Sequence, residues 1–335
     1  METQSYTQRL GSIAPEQLQA ALDRFDLGTL LEAEAAPGGL FGQNLFVTSS
    51  TGAYVLRGCG HYPSQFPHEQ FFARLLHEQT TVPVPWPYLV EQSPEIFGWD
   101  YALMPRMPGR RVCDVEGEGL ELPAHVALAR ALGATLAESQ RVTWPVLASE
   151  YDLATQTMRP QTMTHFARIA DKIADSLATA RKDCPESTTD DDMAWVAALL
   201  ENAREAFELP FTPCFVHHDL NGGNITVEAD GAGWRVLGVF DLSETYFGDG
   251  EEGLPRYLCG LLDTPEVAQA FVRSYTERRP PRAGFAARLP IYYLADRLVI
   301  WAYGHSLARW FDPALTLRAC WEEGVGLCAG LGASG

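Results

Sequence analysis

The run Phe215-Val216-His217-His218-Asp219-Leu220-Asn221-Gly222-Gly223-Asn224 constrains the fold of this chain more than any other stretch. Its apolar start reads as the end of a buried strand. Buried polar groups are costly unless they are paired, yet His217, Asp219, Asn221 and Asn224 crowd together directly after it, broken only by Gly222-Gly223. A second apolar stretch, Ile225-Thr226-Val227, follows, and a third over 236–240 delivers Asp241. Strands arranged in this way bring two carboxylates and a carboxamide to neighbouring ends. Such a group suits the holding of a divalent metal and a hydroxyl beside a phosphate, because magnesium prefers hard oxygen ligands and takes only one or two carboxylates.

The rest of the chain divides around that run. A short helix is expected over 15–25 and a strand over 27–36. Strands at 44–48 and 53–57 are joined by the hairpin signal Ser49-Ser50-Thr51-Gly52. The glycine-rich turn at 38–42 lacks the spacing of a phosphate-binding loop. Over 65–78, Phe66, Glu69, Phe72, Leu75 and Leu76 recur at helical spacing. Val82-Pro83-Val84-Pro85-Trp86-Pro87 cannot be helical and leads into strands at 88–90 and 101–104. About five strands and a helix make a small lobe that ends at 105–109. Beyond Gly109 the period turns helical, over 122–141, 162–182, 190–207, 264–279, 285–310 and 313–323. The only strands expected there flank the central run. The expected fold is α+β and two-lobed, with a small antiparallel-sheet N-terminal lobe, a larger, mostly helical C-terminal lobe, and a cleft between them.

Charge and cysteine content narrow the function. A net charge of −18 argues against nucleic acid as a partner, since phosphate contacts need basic surface; it attracts a cationic small molecule instead. Seven scattered cysteines form no Cys-x-x-Cys pair and point to a reduced cytoplasm rather than a zinc or disulfide framework. No apolar run approaches the roughly 20 residues that cross a bilayer, and the polar N-terminus has no signal pattern. Lysine is nearly absent: Lys172 and Lys182 are the only two.

In phosphoryl transfer the transition state is mostly negative charge spread over oxygens, so positioning and electrostatics dominate catalysis. Asp219 fits the carboxylate that orients a hydroxyl and accepts its proton. Asn224 and Asp241 fit the metal, and His217 suits bracing of the loop. The pattern His217-x-Asp219-x4-Asn224, the strand ending at Asp241 and the nearby Gly248-Asp249 resemble the aminoglycoside phosphotransferase family of kinase-like enzymes, in flavour the hygromycin type. The likeness spans about residues 27–310. It implies ATP as donor, with GTP as the alternative, and magnesium as cofactor. It makes Asp219 the catalytic base, with His217 beside it in the catalytic loop, and Asn224 and Asp241 the metal ligands. It also implies a strand cation for the α- and β-phosphates, here Arg57 rather than lysine, paired with Glu69 of the following helix. The segment 101–109, including Met104 and Arg106, is similar to the linker that holds adenine.

On this reading, residues 1–106, with a linker to 109, form the nucleotide-binding lobe. Residues 110–335 hold the catalytic loop and the substrate site. The expected activity is transfer of the γ-phosphate to a hydroxyl of a small molecule, first an aminoglycoside, which implies antibiotic resistance. The alternatives are choline, homoserine, a sugar or another antibiotic as acceptor, or a nucleotide-binding pseudokinase. Arg57 in place of lysine, and Glu251-Glu252-Gly253-Leu254 after Gly248-Asp249, depart from the family pattern. Glu251, Glu252, Asp296 and Asp312 are candidate contacts for a cationic acceptor. Asp190-Asp191-Asp192 reads as a helix cap, and Trp301, Tyr303, Trp310, Phe311 and Trp321 as core.

Overall fold

The computed structural model describes residues 4–37, 42–231, 233–307 and 311–333. The N-terminal lobe begins with a hairpin of β1 (Gln4–Thr7) and β2 (Gly11–Ile13), then α1 (Pro15–Asp23). Next come β3 (Leu30–Ala35), β4 (Asn44–Ser49), β5 (Gly52–Gly58), α2 (Gln65–Gln79), β6 (Leu89–Glu91) and β7 (Tyr101–Pro105). The five strands from β3 on form an antiparallel sheet in the order β3-β4-β5-β7-β6. Leu18 and Leu22 of α1 pack with Leu45, Val47, Leu56 and Leu103 of the sheet into a core of their own. Residues 38–41 of the expected glycine-rich turn lie outside the described residues.

The C-terminal lobe contains β8 (Arg110–Arg111), α3 (Val112–Gly117), α4 (Leu122–Ser139), β9 (Ala148–Asp152), β10 (Thr157–Pro160), α5 (His165–Asp183) and α6 (Asp190–Glu208). It continues through β11 (Cys214–His217), β12 (Ile225–Asp230), β13 (Gly233–Val239), β14 (Thr245–Gly248), α7 (Pro255–Leu258), α8 (Pro265–Thr276), α9 (Phe285–Leu307) and α10 (Leu317–Ala333). The expectation of strands only around the central run needs correction. A four-stranded sheet, β10-β9-β14-β11, and a three-stranded one, β13-β12-β8, both lie in this lobe. Among the described residues no helix is long and apolar enough to cross a membrane.

Helix α2 ties the lobes together. Its apolar face is fully buried at Phe66, Phe72 and Leu76. The Phe72 ring lies 5.6 Å from Phe215 on β11 and 5.0 Å from Phe247 on β14. Glu69 falls on this same face, so a charged residue is carried into the interior and must find partners there.

Asp192 and Thr189 form a reciprocal cap at the start of α6. Trp301 is fully buried against Phe311 and Trp321. Trp310 and the side chain of Tyr303 lie outside the described residues.

Candidate active site

Strands β12 and β13 are paired from Asp230↔Gly233 back to Ile225↔Val239. One further bond, Phe240 N–H to the Asn224 carbonyl at 3.1 Å, carries the pairing to the strand ends. This brings Asn224 and Asp241 to adjacent positions although seventeen residues separate them in sequence. The Phe240 peptide is held on its other side as well. Its carbonyl accepts from the His217 Nε2 at 3.1 Å, which places a proton on that nitrogen. Burial, the largest influence, lowers the His217 pKa, so the ring stays neutral at pH 7.

The loop between His217 and Asn224 is closed by its own amides. Asn221 donates through Nδ2 to Asp219 Oδ1 at 2.9 Å and accepts from Gly223 N–H at 2.7 Å. Asn224 donates to Asp219 Oδ2 at 2.9 Å. The Asn224 Oδ1 is left without a protein partner among the described residues. Gly222 lies against the backbone of Cys113, where a Cβ would come within 2.9 Å of that nitrogen, so the loop seats on α3 only with glycine there. The Asp219 side chain is 32% exposed, enough to meet a substrate hydroxyl.

Asp241 sits just past the ladder with φ 61° and ψ 65°. A non-glycine residue pays about 1–3 kcal/mol for this left-handed conformation, a strain that gathers at functional sites. Its Oδ1 accepts from Ser243 at 3.0 Å and from Arg57 Nη2 at 2.7 Å. Burial alone would raise the Asp241 pKa; the Arg57 guanidinium outweighs it and holds the carboxyl below the usual range.

Arg57 comes from β5, opposite Asn44 and Ala102. It is 8% exposed, and its Nε lies 3.4 Å from Glu69 Oε1. Glu69 also accepts from Gln65 and from the Tyr88 hydroxyl, each at 3.0 Å. Burial still raises its pKa despite Arg57. The structure therefore brings Arg57, Glu69 and Asp241 into one buried chain of charge that crosses the cleft.

Met104 and Arg106 lie where β7 leaves the sheet. The Arg106 N–H donates to the Ala53 carbonyl at 3.0 Å, and its guanidinium lies 3.6 Å over the Phe46 ring. That amide is therefore engaged within the sheet. The next amide, Met107, has no partner among the described residues. Its side chain rests on Gly238, where a Cβ would meet Met107 Cβ at 2.6 Å.

The acids expected to face a cationic acceptor are already bound by other groups of the protein. Glu251 forms two 2.8 Å bonds to the fully buried Arg288. Glu252 pairs with Arg168 and accepts from the Tyr246 hydroxyl at 2.7 Å. Asp296 is held by Arg297 and by Arg256 at 3.0 Å. Asp312 is exposed and accepts from the Ala314 amide. Asp249 is bound by Arg282 and, at 2.7 Å, by Tyr292, which locks the segment after β14.

Sequence reasoning missed two features. Arg256 of α7 reaches Asp219 Oδ1 at 3.3 Å. Beside the loop opens a pocket of about 490 Å³ between α5, β9, the segment 243–246 and the N-terminal lobe. Its wall includes His218, the residue before Asp219, and Ser243, which bonds Asp241. A larger groove of about 710 Å³ between α4 and α8 contains none of the loop or cleft side chains above.

Comparison with known proteins agrees with this geometry. The structure is similar to aminoglycoside phosphotransferase APH(4)-Ia, in a thermostable mutant form, at 18% identity and a TM-score of 0.60, covering 96% of this chain and 99% of that one. It is similar to a putative aminoglycoside phosphotransferase from Ralstonia eutropha JMP134 at 15% identity and a TM-score of 0.61, over 96% and 98%. It is also similar to a putative fructosamine-3-kinase from Haemophilus somnus 129PT at 14% identity and a TM-score of 0.58, over 94% and 95%. At these identities the likeness is one of fold. No curated protein matches the sequence. The sequence model of the phosphotransferase enzyme family, APH, matches residues 32–285. With that match over most of its length and the kinase-like fold around it, the chain belongs to the APH family of phosphotransferase enzymes, kinases of small molecules.

Proposed function

We propose that the protein moves the γ-phosphoryl group of ATP, or alternatively GTP, to a hydroxyl of a small molecule bound in the pocket beside Asp219. The observation that carries this reading is the meeting of Asp219, Asn224 and Asp241 at one strand end, with the Arg57–Glu69 pair across the cleft. Asp219 is the base. Two amides orient its carboxylate, and an acceptor hydroxyl placed against it loses its proton as the new P–O bond forms. Residues 1–106, with the linker to 109, hold the nucleotide, and residues 110–335 hold the loop and the acceptor. Met104 and Arg106 shape the base site. The free Met107 amide is the donor best placed for the base.

The donor set fits magnesium. Asp241 Oδ2 and Asn224 Oδ1 are hard oxygens without protein partners among the described residues, at neighbouring strand ends. Among the described residues no group of three or more His, Cys, Asp or Glu side chains forms a metal cage; magnesium commonly completes its shell with phosphate oxygens and water. When bound, the ion would neutralise phosphate charge. Arg57 would turn from Asp241 to the phosphates while Glu69 keeps it in place. His217 holds the Phe240 peptide, and with it the spacing between Asp241 and Asp219.

Neighbouring structures support an aminoglycoside as acceptor. APH(4)-Ia is known in a ternary complex with ADP and hygromycin B, and APH(2")-IIIa in a complex with GDP and kanamycin. The chain's acidity agrees with such a substrate, and resistance in a cytoplasmic setting would follow. The test is ADP release by the purified protein against a panel of hydroxyl compounds that includes both antibiotics. Nucleotide binding with no turnover on any acceptor would favour a scaffold over an enzyme.

A further inference from the structure

Helix α5 places Arg168 and Lys172 four residues apart, on one face, and both line the pocket beside the catalytic loop. Lys172 is one of only two lysines in a chain with 43 acidic residues, so a general need for basic surface does not account for it. Its Nζ lies 2.7 Å from His218 Nε2, the ring of the residue just before Asp219. That is its only hydrogen bond among the described residues, and no carboxylate lies within 4.0 Å. The nearby acids are already engaged. Asp296 is shared by Arg297 and Arg256, and Glu252 is taken by Arg168. Arg168 binds Glu252 through Nη2 alone, leaving its Nη1 without a partner among the described residues. An ammonium in this position is short of an anion, and burial lowers its pKa from 10.5.

Two acids share the wall. Glu150 pairs with Arg159 at 3.0 Å on the exposed rim. Glu244 has no ion pair within 4.0 Å and faces the pocket from the segment after Asp241. The remaining titratable rings do not alter the balance, because burial keeps His68 and His218 neutral. The α5 side of the pocket thus offers two cations with free N–H donors, Lys172 on the ring of the residue that precedes the base.

We infer that the acceptor carries an oxyanion, a carboxylate or a phosphate, which Lys172 and Arg168 hold while Asp219 engages its hydroxyl. This rests on the phosphotransfer reading above but not on an aminoglycoside as acceptor. A polycation would set its amino groups against Lys172 and Arg168, and Glu244 alone would have to offset both.

The test is calorimetric titration of the full-length protein, saturated with magnesium and a non-hydrolysable ATP analogue so that added anions cannot report on Arg57. The probes are gluconate, glucose 6-phosphate, glucitol and kanamycin. Gluconate or glucose 6-phosphate should bind more tightly than glucitol. Lys172→Met should weaken that anion at least about tenfold, the loss of one charge-assisted hydrogen bond. Lys172→Glu should abolish anion binding and tighten kanamycin. Whichever of the two anions binds identifies the source of the oxyanion. The inference is overturned if neither anion binds better than glucitol, if Lys172→Met leaves the anions unchanged, or if kanamycin binds best to the unaltered protein. Nucleotide affinity and acceptor-independent ADP release, measured in parallel, report on the phosphotransfer reading separately. Both are read in the unaltered protein.

Discussion

Replacing Arg57 with methionine removes the centre of the buried charge chain while keeping its aliphatic volume. Glu69 is 1% exposed, so it would be left ionised in the interior with only Gln65 and Tyr88 to donate to it. Coulomb's law with an effective dielectric constant of about 20 gives roughly 5 kcal/mol for unit charges at the 3.4 Å Arg57–Glu69 separation. Desolvation of both ions offsets part of this, and losing one partner of a buried pair costs about 3–5 kcal/mol in practice. Arg57→Met should therefore lower the unfolding free energy at pH 7 by about 3 kcal/mol or more, read from urea denaturation. Burial already raises the Glu69 pKa in the folded protein, and without Arg57 it rises further. The folded state then binds a proton more readily than the unfolded chain, so the penalty should be smaller at pH 5 than at pH 8. Glu69→Gln made together with Arg57→Met removes the stranded charge and should recover at least about 2 kcal/mol, a coupling within the range for neighbouring residues. Nucleotide affinity should fall about tenfold or more in both variants, since neither retains the guanidinium. A cost below about 1 kcal/mol, strict additivity in the double variant, or unchanged nucleotide affinity would refute the assignment.

Other outcomes follow from the same geometry. Asp241→Ala should abolish the magnesium dependence of nucleotide binding, checked by titration with and without the ion; retained dependence would place the metal elsewhere. Glu251→Ala removes two bonds from the fully buried Arg288, which keeps Asp249 at 3.7 Å, and should cost about 1.5–3 kcal/mol of stability in urea melts, with little change in the KM for nucleotide. Burial lowers the His68 pKa from 6.5 to about 4, against a weaker opposing bond to Thr245. The unfolded chain takes that proton first, so roughly 3 kcal/mol of stability present above pH 6.5 should be lost as pH falls to about 4. A flat stability profile over that interval would contradict the assignment of a neutral buried ring.

Much of the site was legible because local spacing dictates it. The hairpin that joins Asn224 to Asp241 follows from two apolar stretches with a turn between them. Glu69 could be assigned because Phe66, Phe72 and Leu76 fix the buried face of α2. The strand and helix from Gly52 to Gln79 match their expected bounds within a residue. The unread parts depend on distant contacts. Strands β9 and β10, with sequences ASEYD and TMRP, carry little β pattern; β9 is held by pairing with β14 at Ala148↔Phe247. Helix α10 runs to Ala333, ten residues past the expected 323, through four glycines that argue against helix. Two of them, Gly324 and Gly332, lie against Tyr293 and Ala286 of α9, where a Cβ would collide. Lys172 and Arg256 reach the loop from 46 and 38 residues away, and no local pattern announces either. Glu251 and Glu252 looked available in sequence because their arginine partners, Arg288 and Arg168, are equally remote.

The central claim is that Asp219 is the base for transfer to a hydroxyl. Its most direct test is the acceptor-dependent rate of ADP release by Asp219→Asn, a change that keeps the side chain's shape and one of its two bonds from Asn221 and Asn224. The rate should fall by roughly 10²–10⁴, the usual contribution of general base catalysis, with nucleotide affinity nearly unchanged. A variant that keeps more than about a hundredth of the parent rate would show that the proton leaves by another route.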